Sequence, residues 1–268
     1  MAPELFRRVD ILEEPSEEQI QNLLRLEISD NLDIGQPRSE QHGLFKLNTL
    51  RSGPEVSDRH TYALDIFAIH GLGGDAYRTW QHENGFSWLQ HLDEEFPGIR
   101  VYSYGYDSGV AFSGGTPRLT DYARHLLTLM KLARASESEK KRKIVFVCHS
   151  MGGILAKQAI LLASSERGLY GILRQSLCAM VFLATPHSRS ESQYYHDILC
   201  NIADAVLFPT LADKLIEGLR KALLESLSSS SLPLQLLAKE FQLEAYRIQG
   251  LQISCFIEKS TMPGASDI

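Results

Sequence analysis

The stretch Ile144-Val145-Phe146-Val147-Cys148-His149-Ser150-Met151-Gly152-Gly153 decides how this chain folds. Ile144 to Cys148 form a near-continuous apolar run, as expected of a strand buried on both faces of a parallel sheet. Met151–Ala163 reads as a helix, and a serine stands at the corner between the two. A serine at such a strand–turn–helix corner occupies a sharp, strained turn, and its near neighbours must be small for strand and helix to pass closely. Gly152 satisfies this after the serine, whereas Cys148 stands before it where glycine is usual and is the bulkier residue. The turn exposes the Ser150 hydroxyl and aims the Met151 N–H, at the positive end of a helix, toward a developing negative charge.

Outward from this corner the pattern alternates. Tyr62–Ile69 is a short apolar run that ends in His70-Gly71-Leu72-Gly73-Gly74. Glycines there let the backbone approach a substrate closely, which makes the N–H groups of Gly71 and Leu72 a second source of donors for the same charge. The loop does not spell a G-x-x-x-x-G-K-[ST] phosphate cradle. His70 is read as shaping the loop. Gly43–Leu50, Arg100–Tyr104, Leu177–Ala184 and Leu251–Ile257 read as further strands. Leu119–Arg134 reads as an amphipathic helix with Tyr122, Leu126, Leu129 and Ala133 on one face. Strands alternating with helices predict an α/β fold, a mainly parallel sheet with helices on both faces.

Two stretches stand apart. Residues 1–42 are polar and acidic; within them Ser16–Ser29 carries Ile20, Leu23, Leu24 and Ile28 on one helical face, and 31–41 reads as a linker. The α/β unit is expected over 43–268. Between 188 and 248 the chain is long for a connection. Leu211, Leu215, Leu219 and Leu223 recur at helical spacing, and a second helix is expected near 232–248. Such an insertion predicts helices capping the site.

Composition narrows the partners. The 268 residues carry a formal net charge of −6, which argues against nucleic acid, since phosphate binding needs a basic face. The basic run Lys140-Lys141-Arg142-Lys143 is expected to be a solvated loop. None of the four cysteines, Cys148, Cys178, Cys200 and Cys255, forms a zinc-type pair. No metal and no cofactor are expected, and reduced thiols point to the cytoplasm. The N-terminus lacks the apolar stretch of a secretory signal, and no run of apolar residues is long enough for a membrane span.

The fragments Asp65–Gly74 with Thr79-Trp80, Cys148–Gly153, Val181–His187 and Ser254–Glu258 resemble one known group in order and spacing. That group is the serine esterase family of the α/β-hydrolase fold, with the GPI-inositol-deacylase-like lipases and the hydrolase domains of fungal NOD-like receptors. The resemblance spans about residues 43–268. It implies Ser150 as nucleophile, and Glu258, at the end of the last visible strand, as the acid; Asp267 is the rival. Two departures stand out. Thr185-Pro186-His187-Ser188-Arg189-Ser190 lacks the glycine usual in this loop, and no histidine follows His196, so the last strand of the fold and its histidine loop are missing from the pattern. Three explanations stay open: a longer parent protein, an upstream histidine such as His149 or His187 acting as base, or a non-catalytic relative.

The resemblance thus implies a serine ester hydrolase acting on a lipid or other acyl ester. The alternative is a signalling or effector domain of a larger NOD-like receptor-type protein, partnered by other domains of the same chain. A thioesterase or peptidase on the same fold is a third reading, because fold does not fix chemistry.

Overall fold

A computed structural model describes residues 42–48, 63–113, 115–187 and 231–257. The helix expected at 16–29, the linker at 31–41, the leucine-spaced helix at 205–227 and Cys200 lie outside them.

Among the described residues six strands form one sheet: β1 (Gly43–Lys46), β2 (Leu64–Ile69), β3 (Arg100–Gly105), β4 (Lys143–His149), β5 (Leu177–Leu183) and β6 (Gln252–Phe256), in the order β1-β3-β2-β4-β5-β6. β1 runs antiparallel to β3, and the other pairs are parallel. The interleaved helices are α1 (Trp88–Glu95), α2 (Ser108–Ser113), α3 (Gly115–Leu132), α4 (Glu137–Lys140), α5 (Gly152–Ser165), α6 (Arg167–Ser176) and α7 (Ser231–Arg247).

The two-residue period of the strands sorts their side chains into two cores. Phe67, Ile69, Tyr104, Phe146 and Phe182 face the side covered by α3, α5, α6 and α7. Ile66, Ala68, Val101 and Val147 face the other side, covered by Trp80 of a short 3₁₀ turn and Leu89 of α1. The expected mainly parallel sheet with helices on both faces is therefore what forms. α5 is central to its layer: it packs against α3, α6 and α7, and its residues Ile154 to Lys157 are all buried.

Two expectations need correction. The second of the helices expected to cap the site over 188–248, α7, is instead a flanking helix of the main core. Leu234, Leu237 and Phe241 are buried against α5, and the Glu244 carboxylate accepts from Ser164 Oγ (2.7 Å) and Arg174 Nη2 (2.5 Å). Its apolar residues thus bury in the layer beside the sheet.

The second correction concerns the basic run. Arg142 is not a solvated residue: its Nε donates to Asp65 Oδ1 at 2.6 Å, and its Nη2 to the carbonyls of Leu64 and Gly98. Asp65 is fully buried and also accepts from Arg100, through Nε and Nη2 at 2.7 Å each, and from Arg134 Nη1. A buried carboxylate persists only when it is paired and hydrogen-bonded. The cluster ties together the N-terminal ends of β2, β3 and β4.

Candidate functional site

The chain leaves β2 for β3 on one side, then crosses to β4 on the other. Loops diverge at such a switch point, and the crevice beyond the carboxyl ends of the strands is where ligands bind in open α/β sheets. Here the two loops that meet are the glycine-rich loop after β2 and the serine corner after β4. They touch at Gly71, where an added Cβ would lie 2.7 Å from Ser150 Cβ and 3.2 Å from its Oγ.

Ser150 has φ 49°, in the left-handed region. That conformation costs a residue with a Cβ about 1–2 kcal/mol, so the surroundings must hold it. The Ser150 N–H donates to Leu183 O on β5 (2.8 Å), and the Ser150 carbonyl accepts from the Gly153 N–H (3.1 Å). The demand for a small residue after the serine is visible at Gly152, where a Cβ would lie 2.3 Å from His70 O and 2.4 Å from Ile69 O. Those atoms are backbone and cannot swing away. Gly153 is as tight, against Thr185 at 2.4 Å. Cys148 fits before the serine because its side chain points into the core, where it is fully buried and burial pushes its thiol up, so it stays neutral.

The loop after β2 is braced by His70. Its Nδ1 lies 2.8 Å from Gly71 O, its Nε2 accepts from the Tyr106 N–H (3.3 Å), and its ring stacks on Tyr106 at 4.4 Å. The proton therefore sits on Nδ1, and both nitrogens are engaged. Burial lowers the pKa of the ring to about 4. His70 is a structural brace, as its sequence context predicts, and cannot take a proton from Ser150. The Gly73 N–H donates to Ser108 Oγ (3.0 Å) and the Gly74 N–H to Gly71 O (3.1 Å). Met151, at the N-cap of α5, and Leu72 are buried beside Ser150 and this loop.

The remaining site residues divide. Glu258 and Asp267 lie outside the described residues. Among the described residues no imidazole is hydrogen-bonded to Ser150 Oγ. The ring of His187 turns Nδ1 toward Lys157 Nζ at 3.3 Å and packs edge-on against Phe182. Burial, then the Lys157 charge, lower its pKa to about 4. Lys157 itself is 2% exposed, and sequence reading missed it because a lysine within a helix reads as a solvent-facing residue. Among the described residues no group of histidine, cysteine or carboxylate side chains is arranged to hold a metal ion, and no helix is long and apolar enough to cross a membrane. The described cysteines are free thiols.

Strand order, the antiparallel β1 and the serine corner define the class: this is an α/β-hydrolase fold. Within it, residues 99–222 match the family model described as a PGAP1-like alpha/beta domain, so the resemblance stated from the motifs holds. Protein SERAC1 of Bos taurus is 28% identical over 230 residues, covering 78% of this chain and 32% of the relative. Protein SERAC1 of Homo sapiens is 26% identical over 243 residues, covering 83% and 33%. The chain thus spans about a third of the length of these curated relatives. Among solved structures, an esterase of Pyrococcus furiosus aligns with TM-score 0.43 and 14% identity, covering 74% of each chain. The peroxisomal alpha-beta-hydrolase Lpx1 of Saccharomyces cerevisiae aligns with TM-score 0.42 and 14% identity, covering 78% of this chain and 74% of that one.

Proposed function

We propose that this chain carries a serine ester hydrolase site acting on a lipid or other acyl ester, with Ser150 as nucleophile. The observation that carries the reading is the strained backbone of Ser150 at φ 49°, packed against Gly71 at the switch point of the sheet. Backbone strain of this kind clusters where function requires it. In this reading Ser150 Oγ attacks the ester carbonyl. The Met151 N–H and a backbone N–H of Gly71 or Leu72 hold the resulting oxyanion, the role that most lowers the barrier in acyl transfer. Glu258, two residues beyond β6, orients the base, with Asp267 as the alternative acid. The geometry of His70 removes it as base. With His187 Nδ1 turned to Lys157 Nζ and its pKa lowered to about 4, the proton acceptor is His149, next to the nucleophile, or a histidine supplied by a longer parent chain.

Hydrolysis of p-nitrophenyl esters of graded acyl length tests the reading. Wild-type turnover is expected to fall at least about 10⁴-fold in Ser150→Ala, as for loss of an activated nucleophile. Equal rates in the two proteins would reject Ser150 as nucleophile.

A further inference from the structure

Lys157 sits in the middle of α5 at 2% exposure, and among the described residues its ammonium meets no carboxylate. Its polar partners are Pro186 O at 3.4 Å and His187 Nδ1 at 3.3 Å, both at the long end of hydrogen bonding, and the Phe182 ring centroid lies 5.3 Å away. The titratable groups facing it from the sheet are the thiols of Cys148 on β4 and Cys255 on β6. From α7, Phe241 packs on the same Phe182 ring, while Glu244 is engaged by Arg174, Arg247 and Ser164. A buried ammonium so weakly partnered is costly; methionine would fill the same space without that cost.

What Lys157 touches is the turn after β5, and that turn is strained. Ala184 has φ 50°, and it and Ser150 are the non-glycine residues of positive φ among the described ones. The two corners are linked: the Ser150 N–H donates to Leu183 O, and the Ala184 N–H to Phe256 O, both at 2.8 Å. Thr185 then packs on Gly153 in the first turn of α5, and its Oγ1 is buried with no hydrogen-bond partner among the described residues. Among the described residues the side chain that holds the 185–187 part of the turn by polar contacts is therefore Lys157. An ammonium has only donors, so His187 Nδ1 accepts and the ring proton sits on Nε2.

We propose that Lys157 is a positioning residue for the Ser150 site: its ammonium clamps the Thr185-Pro186-His187 turn against the start of α5 and fixes His187 as the Nε2–H tautomer. The proposal rests on the reading of Ser150 as nucleophile. The clamp steadies the turn that abuts Gly153, and so the helix start whose Met151 N–H faces the oxyanion. It separates stability from activity. Burial lowers the Lys157 pKa from 10.5 to about 8. Between those values the unfolded chain binds more protons, so stability rises with pH through that window and the buried ammonium opposes folding at neutral pH. As pH rises through about 8 the amine keeps N–H donors but loses its charge, so the clamp weakens there.

The test uses the full chain with isotope-labelled histidine, wild type and Lys157→Met. In the wild type at pH 7 the His187 imidazole ¹⁵N shifts should report the Nε2–H tautomer, and they should move with a midpoint near 8, far from the ring's own pKa of about 4. In Lys157→Met that step should vanish, Tm should rise by about 4 °C or more, and labelling of Ser150 by a fluorophosphonate at pH 7 should slow about 10-fold. A wild-type ring that is not the Nε2–H tautomer at pH 7 overturns the clamp, and this holds even if the variant fails to fold. So does a variant whose His187 spectrum is unchanged. A lower Tm together with unchanged labelling would make Lys157 a packing residue and overturn the positioning role. Absence of labelling in the wild type would remove the Ser150 reading alone, and the His187 titration would still decide the clamp.

Discussion

The two ends of the central strands are built on opposite terms. At the N-terminal ends of β2, β3 and β4, Asp65 is buried and held by three guanidinium groups, from Arg100, Arg134 and Arg142. At the C-terminal ends of β4 and β5, Ser150 and Ala184 keep positive φ, the Thr185 hydroxyl has no partner among the described residues, and Lys157 is buried beside a carbonyl and an imidazole. One end fixes the register of the sheet, and the other holds strain. Chemistry is to be sought at the second end: strain persists where the rest of the molecule over-determines it, and it gathers at functional sites.

The largest expected effect belongs to the satisfied end. Asp65→Ala would leave Arg134 and Arg142 without the carboxylate they pair with and should cost about 3–5 kcal/mol in urea unfolding. A loss under about 1 kcal/mol would break the contrast, because the N-terminal end would then not be what fixes the sheet.

Next is the dependence of stability on acid. The folded pKa of His70, about 4, lies below its ordinary 6.5. The unfolded chain therefore takes up the proton first. The stability this gives is fully present above about pH 6.5 and should be lost toward pH 4, by about 3 kcal/mol. His187 shifts in the same direction and adds to the fall. Unfolding midpoints measured across this range should fall in the wild type, and less steeply in His70→Gln.

A smaller effect sharpens the comparison at the strained end. Ser150→Gly should stabilise the fold by about 1 kcal/mol by releasing its φ of 49°, whereas Ser150→Ala keeps the Cβ and should gain nothing from that source. Equal stabilities for the two variants would mean that the corner is not strained. The smallest effect is at the rim of the Asp65 cluster. Glu139→Gln removes a part-exposed partner of Arg100 and should cost about 0.5 kcal/mol in the same unfolding measurement.

The sheet was legible in the sequence because parallel strands buried on both faces read as unbroken apolar runs, as in Ile144–Cys148 and Leu177–Leu183. The serine corner was legible from its small neighbours. α6 was not, because Gly168 and Gly171 within its ten residues weaken the helix signal. Arg142 and Lys157 were misread or missed for one reason: in one dimension a charged residue looks solvated, and only the fold reveals the carboxylate or carbonyl waiting for it. α7 read as a capping helix because its apolar residues have no assigned partner until α5 lies beside them. The acid and the base of the site stayed open, since Glu258 and Asp267 lie outside the described residues and His70 proves to be a brace.

The proposed site stands or falls on Ser150 being an activated nucleophile. Incubating the purified chain with a fluorophosphonate probe and mapping the adduct by peptide mass spectrometry tests it directly. One adduct is expected, on Ser150, absent from Ser150→Ala. A folded wild type that takes up no probe, or takes it up on another residue, would contradict it.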